Sequence, residues 1–437
     1  MFKKIHDSLF DKTKNKVQYI SGIRKSITDL YIIGTALRYN STKLLRNLKT
    51  KIKRFPKFSA TFQNHKYVYF NGSVFLDAFS PKLPGKPFNR TLGNFIDMLN
   101  DSSFNWERFT LALIFSITKK CVYRCEHCYA IQTLGSKDVL TFENLLYIAK
   151  AFIKLGGSVI SWEGGEPTLR FEELLTLLSQ TRDYIDSWLA TTAYGLTYQK
   201  AQKLKEAGLS AAIISLDHYD REIHNKFRGN DKAYDMAVNG VRIFRETGIL
   251  PNICICATRE TVDEGDLYRY LELAKKLKVG FVEILDATPS GNYIGKDVSL
   301  TNKQLDVIKR FHIDVNTNPK YRDYPSISAR PFLESDSHYG CVAGNAHFYM
   351  DSSGNVQACD LLQISFGNVF EEGFMKVYKR MKESFPHFFS GRCPAQTLAK
   401  LIAKVYEEHQ ALPLPYEKCQ HILDLIKKRG IPENLQL

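Results

Sequence analysis

The segment Thr118–Ala130, TKKCVYRCEHCYA, sets Cys121, Cys125 and Cys128 directly after an apolar run, Thr110 to Ile117, of strand length. Three thiols this close cannot pair off as disulfides without leaving one over, but they can wrap a soft metal centre. A structural zinc would need a fourth ligand, and His127 is the one on offer; its place beside Cys128 makes reaching the same ion awkward. A cubane iron-sulfur cluster fits better. Each thiolate takes its own iron, and the fourth iron stays open to a substrate or cofactor.

Outward from this loop the chain alternates. Strands are expected at Thr110 to Ile117, Ser158 to Trp162, Ser187 to Thr191, Ala211 to Ser215, Asn252 to Ala257 and Gly280 to Leu285, with helices near 141–155, 171–184, 198–207, 232–247 and 265–277. Such alternation gives a parallel sheet with right-handed crossovers. About six units are too few for an eight-unit closed barrel, so an open doubly wound sheet and a partial barrel both fit. In either, chemistry gathers at the carboxyl ends of the strands. From Cys341 the alternation stops, and FYMDSSGNVQACDL, a hairpin-like stretch, leads into a helical C-terminus read as a small separate module.

The chain has 437 residues and a net charge of +14, of which residues 1–60 supply +12. Basicity therefore belongs to an appendage. Apolar residues from Ile20 to Lys53 recur near a 3.6-residue period, the mark of a basic amphipathic helix, with a break expected near Asn40-Ser41. Residues 56–78 alternate around Asn71-Gly72 as a β-hairpin does. Three readings compete for the helix: docking on the body, lying on an anionic membrane surface, and binding nucleic acid. An apolar stripe has no use in the last, which is disfavoured. Without a spanning run or secretory signal, and with nine unevenly spaced cysteines, the chain reads as cytoplasmic.

CVYRCEHCYA resembles the signature of the radical S-adenosylmethionine (radical SAM) enzymes, including Tyr129 after the third cysteine, and SWEGGEPTLR is similar to their Gly-Gly-Glu-Pro segment, here Gly164, Gly165, Glu166 and Pro167. The resemblance implies a partial (β/α)6 barrel and a 4Fe-4S cluster on Cys121, Cys125 and Cys128 whose open iron chelates S-adenosylmethionine. One electron, from a donor such as flavodoxin or ferredoxin, then yields methionine and a 5'-deoxyadenosyl radical that takes hydrogen from a substrate. Glu166 is expected to accept from the methionine ammonium, and ISLDHYDREIHNKFRG adds Ser215 and Asp217 for polar contacts and Arg228 for the carboxylate; Thr258 and Pro289-Ser290-Gly291 match more weakly. The segment from Cys341 resembles the SPASM and twitch auxiliary-cluster modules, with Cys341, Cys359 and Cys393 as ligands of a second 4Fe-4S cluster and Cys419 one option for the fourth. The implied division is 1–107 as helix and hairpin extension, 108–335 as radical SAM core, and 336–437 as auxiliary module.

Blander readings stand beside these. The first three cysteines could be buried thiols or a zinc loop, and the later three ordinary core cysteines. Cys254 and Cys256 alternate with isoleucine as core residues do. Glu166 could simply start a helix, and Ser215, Asp217 and Arg228 could be local caps and surface pairs. His127, His218 and His224 read as loop residues. The expected substrate is a peptide or protein side chain, with a lipid or other membrane-associated molecule as alternative, and a non-catalytic electron-transfer or scaffold protein as the competing class.

Overall fold

The computed structural model describes residues 10–45, 65–100, 110–336 and 338–430. At the N-terminal end β1 (Gln18–Ile20), β2 (Tyr67–Phe70) and β3 (Ser73–Phe75) form a small antiparallel sheet. Its turn is Asn71-Gly72, both at positive φ (47° and 81°), as a two-residue hairpin requires. The expected hairpin is thus shorter, and its portion before residue 65 lies outside the described residues. Helix Gly22–Leu45 starts two residues after the expected Ile20, which belongs to β1, and runs through Asn40-Ser41 without a break.

Six parallel strands follow: β4 (Ala112–Ser116), β5 (Val159–Glu163), β6 (Asp186–Thr191), β7 (Leu209–Ser215), β8 (Leu250–Ala257) and β9 (Phe281–Asp286). Helices Phe142–Lys154, Phe171–Thr181, Tyr198–Ala207, Ala233–Thr247 and Glu264–Leu277 alternate with them as expected. Their starts are written locally: Thr141 and Asn144 form a reciprocal cap, and Thr197 and Asp263 accept from the first turn of their helices. Side-chain alternation along each strand sorts two cores. Phe115, Trp162, Leu189, Ile214, Ile253 and Ile284 face the helices, whereas Ala112, Val159, Trp188, Ala211, Ile213 and Phe281 face inward. Val68, Phe70 and Phe75 join the inward set, so the N-terminal hairpin plugs the amino end of the barrel.

Two features go beyond the expected six units. A seventh parallel strand, β10 (Ser326–Ala329), pairs with β9. Beyond β4 the sheet continues through β11 (His347–Met350), β12 (Asn355–Gln357), β13 (Ile364–Asn368) and β14 (Leu414–Pro415). β11 is parallel to β4, with Tyr349 opposite Ile114. The C-terminal segment is therefore not separate in hydrogen bonding, because one sheet of eleven strands crosses the expected boundary. The strand order is linear, a partial rather than closed barrel.

Candidate active site

The cysteine loop leaves the carboxyl end of β4 and is clamped by neighbouring loops. Gly165 N–H donates to the Thr118 carbonyl at 2.8 Å and Glu166 N–H to the Lys120 carbonyl at 2.7 Å. A Cβ on Gly165 would lie 2.2 Å from the Lys120 oxygen, so only glycine permits this approach. From the β9 side Asn292 N–H reaches the Cys128 carbonyl at 3.0 Å, and Gly291, at φ +52°, sits where a Cβ would be 2.3 Å from Tyr129 Cα.

Held this way, Cys121, Cys125 and Cys128 gather with Tyr123, Tyr194 and Ala233. Burial pushes the Cys128 thiol up to about 12 and raises Cys121. Thiolates here need positive charge beside them, which a metal cluster supplies. Among the described residues no three His, Cys, Asp or Glu side chains converge as ligands of a single ion. His127 stacks on Phe227 with ring centroids 4.5 Å apart, and burial lowers it to about 3. The donor set thus fits a cluster with one iron per thiolate better than zinc.

The other expected contacts are distributed differently. Glu166 is fully buried and both its oxygens are filled: Oε1 accepts from Thr168 N–H, Thr168 Oγ1 and Thr191 Oγ1, and Oε2 from Thr192 N–H and Oγ1, at 2.6 to 3.1 Å. A carboxylate so saturated ties the ends of β5 and β6 together and has little left for an ammonium. Pro167 opens the short turn Pro167–Arg170 behind it. Asp217 and Arg228 are not a surface pair. The Arg228 Nε donates to Asp217 Oδ2, and its Nη1 points at Cys125 Sγ at 3.7 Å. Burial alone would raise Asp217, but the Arg228 charge holds it down to about 2. Arg228 is thereby committed to Asp217 and Cys125 rather than free for a carboxylate. Ser215 ends β7 half-buried on the inner face, opposite Cys254. Tyr129 Oη donates to Glu163 Oε2 at 3.3 Å, and its ring meets Tyr349 edge-on.

Cys341, Cys359 and Cys393, far apart in sequence, line one cavity of about 70 Å³ with Arg330, Glu334 and Gln396. Burial raises all three thiols, Cys393 to about 12. Cys419 is buried in the turn Tyr416–Cys419 and does not line this cavity. Cys254 and Cys256 are half-buried on the inner face of β8, and Cys254 packs against the inner core of Trp188, Ile213 and Phe281, in line with the core reading.

Between the two cysteine sets lie groups the sequence reading passed over. Glu163, Glu283, Asp360 and Arg330 lie near one another, and burial first, then neighbouring carboxylates, push Glu163 to about 8. Burial raises Glu283 to about 7, with Arg330 opposing. Their signal was available: FVEILD and SWEGG each put a carboxylate at an inward position of a buried strand.

Residues 115–271 match the profile of the Radical SAM superfamily. Over that stretch the chain is similar to the radical SAM superfamily. Members of the superfamily use a 4Fe-4S cluster and S-adenosylmethionine, and this chain is an enzyme. It is 28% identical to the Fe-coproporphyrin III synthase of Methanosarcina barkeri over 64% of this chain and 77% of that one. With the GTP 3',8-cyclase of Acidothermus cellulolyticus it shares 27% identity over 52% of this chain and 66% of that one. The fold is shared with Streptococcus suis SuiB, solved bound to S-adenosylmethionine, at a TM-score of 0.52 and 17% identity, covering 62% of this chain and 66% of SuiB. A SuiB structure bound to precursor peptide SuiA gives the same TM-score at 18% identity over 62% of this chain and 65% of that one, so the chain spans just under two thirds of SuiB.

Proposed function

We propose that Cys121, Cys125 and Cys128 hold a 4Fe-4S cluster and that the protein uses S-adenosylmethionine there to abstract hydrogen from a peptide or protein side chain in the barrel lumen. The cluster, reduced by a donor such as flavodoxin or ferredoxin, supplies one electron for cleavage to methionine and a 5'-deoxyadenosyl radical. The chain's residues do the placing. Gly164 and Gly165 bring backbone close to the loop, Glu166 fixes that backbone, and Arg228 sets a positive charge beside Cys125. Residues 336–437 are a SPASM/twitch-like segment in this reading, with a second cluster on Cys341, Cys359 and Cys393. The single observation that carries the reading is that Cys121, Cys125 and Cys128 gather in one loop at the carboxyl end of β4, clamped by the backbone of Gly165 and Glu166, while Cys341, Cys359 and Cys393 meet at a cavity of their own.

Reduced, reconstituted protein should release 5'-deoxyadenosine and methionine in equal amounts, and Cys128→Ala should release neither; no product from wild type overturns the reading. A Cys341→Ala, Cys359→Ala double variant should lose about half of the iron. An unchanged count removes the second cluster. One observation favours a membrane-associated substrate as a second reading. Helix Gly22–Leu45 turns Ile23, Leu30 and Ile33 outward, 81%, 50% and 39% exposed, on one face of a basic element. Sedimentation with anionic vesicles, lost in an Ile23→Asp, Leu30→Asp variant, tests it. No helix among the described residues is long and apolar enough to cross a membrane.

A further inference from the structure

We infer that Gln363, a residue of the C-terminal segment, completes the first cysteine loop: its side-chain amide bridges that loop to the turn after β9 and so sets the placement of S-adenosylmethionine at the open iron. Gln363 is a positioning residue in this account, which rests on the proposed function and deepens it.

The backbone around Cys128 is tied to the turn Gly291–Tyr293 at two adjacent points. At the first the tie is direct, since Asn292 N–H donates to the Cys128 carbonyl at 3.0 Å. At the second a side chain stands between the two backbones. Gly291 N–H donates to Gln363 Oε1 at 2.7 Å, and Gln363 Nε2 donates to the Tyr129 carbonyl at 2.9 Å. A backbone N–H can only donate and a carbonyl only accept, so the amide has one orientation here. It acts as a peptide unit inserted between two chains, a task that needs a donor and an acceptor on one planar group.

Gln363 is itself held in place. Leu414 N–H of β14 donates to its carbonyl at 2.8 Å, and Ile364 N–H closes a tight turn on the Leu362 carbonyl at 2.7 Å. Cys359 precedes it by four residues, so the segment that carries one thiol set also fastens the loop of the other. A second amide joins the C-terminal segment to the chain just past the loop. Gln132 Nε2 donates to Tyr406 Oη at 2.6 Å, and its Oε1 accepts from Leu412 N–H at 3.1 Å. Gln132 therefore docks the segment, whereas Gln363 grips the residue next to a cluster thiolate.

The test uses the anaerobically reconstituted full chain and three variants. Gln363→Met is close in length and removes both bonds, Gln363→Glu keeps the acceptor for Gly291 and loses the donor to Tyr129, and Gln132→Met loosens only the docking. In wild type, added S-adenosylmethionine should change the paramagnetic resonance spectrum of the reduced first cluster. At wild-type iron content both Gln363 variants should need at least about tenfold more S-adenosylmethionine for half of that change, and Gln132→Met less than about threefold more. Wild-type affinity in either Gln363 variant overturns the inference. So does an equal loss in Gln132→Met, which would make the effect one of docking, or loss of iron in both Gln363 variants, which would make the amide part of the cluster's cage. No spectral change in wild type sinks the proposed function as well, whereas a wild-type response with unshifted Gln363 variants sinks only the role of Gln363.

Discussion

Arg228 shows what one side chain can do beside a thiolate. Its guanidinium, buried and fixed by Asp217, aims an N–H at Cys125 Sγ. Positive charge and a hydrogen bond at sulfur stabilise the reduced state, so Arg228→Gln should lower the midpoint potential of the first cluster. Losing a charged hydrogen bond of ~1.5 kcal/mol corresponds to roughly 60 mV for one electron. A redox titration followed by paramagnetic resonance checks it, and a rise would reverse the argument. Gly165→Ala puts a methyl group 2.2 Å from the Lys120 carbonyl and 2.9 Å from Cys121 Cβ, so the loop must shift by about 1 Å. The expected loss of 5'-deoxyadenosine formation is about 100-fold, measured with iron content held equal. Cys125 and Gly165 were legible because their signals are local, a cysteine spacing and a paired glycine, whereas Arg228 was expected at a cofactor carboxylate and stands instead between Asp217 and Cys125. Glu283 was not read in advance, since its meaning depends on which strand face is inward and what stands across the lumen.

Elements that pair locally were read from the chain, and those that pair across it were not. Asn71-Gly72 gave the hairpin turn, and strand-helix alternation gave β4 to β9 within a residue or two at most ends. Nothing in HFYM announces that β11 will lie parallel to β4 more than 200 residues earlier. The hairpin's docking in the barrel mouth was likewise hidden, because aromatic alternation fits any half-buried strand. Phe75 is 2% exposed and meets the Trp188 ring edge-on at 6.0 Å. Phe75→Ala should cost about 3–5 kcal/mol by cavity formation at the barrel's amino end. A matching fall in the urea midpoint, read by Trp fluorescence, is the check, and a shift below about 1 kcal/mol would mean the plug is loosely seated.

For the molecule as a whole, buried titrating groups set a pH optimum. Burial lowers His65 and His224 to about 4 and His347 to about 3, so between those values and 6.5 the unfolded chain binds more protons and stability rises with pH. Glu163 and Glu283 are raised, by burial first, to about 8 and about 7; from 4.5 upward the folded state holds the extra protons and stability falls with pH. Up to 6.5 these histidines, joined by His127 at about 3, act against Glu163, Glu283 and the burial-raised Asp286, Glu334 and Asp351, and above 6.5 the rising contribution of the histidines is spent. Above it the carboxylates act until Lys66, lowered by burial to about 7, opposes them. Thermal melts across pH 4.5 to 8 should peak near 6.5, and Glu163→Gln, Glu283→Gln should remove the alkaline decline; a flat profile would contradict the assignment. The parallel seam between β4 and β11 has a mechanical consequence. The strand that carries the first cysteine loop and the hairpin leading to Cys359 share one hydrogen-bonded ladder, so neither can swing without the other. Any electron exchanged between the two thiol sets would cross a span held constant by backbone, its transit time governed by fixed geometry and not by the opening and closing of a hinge.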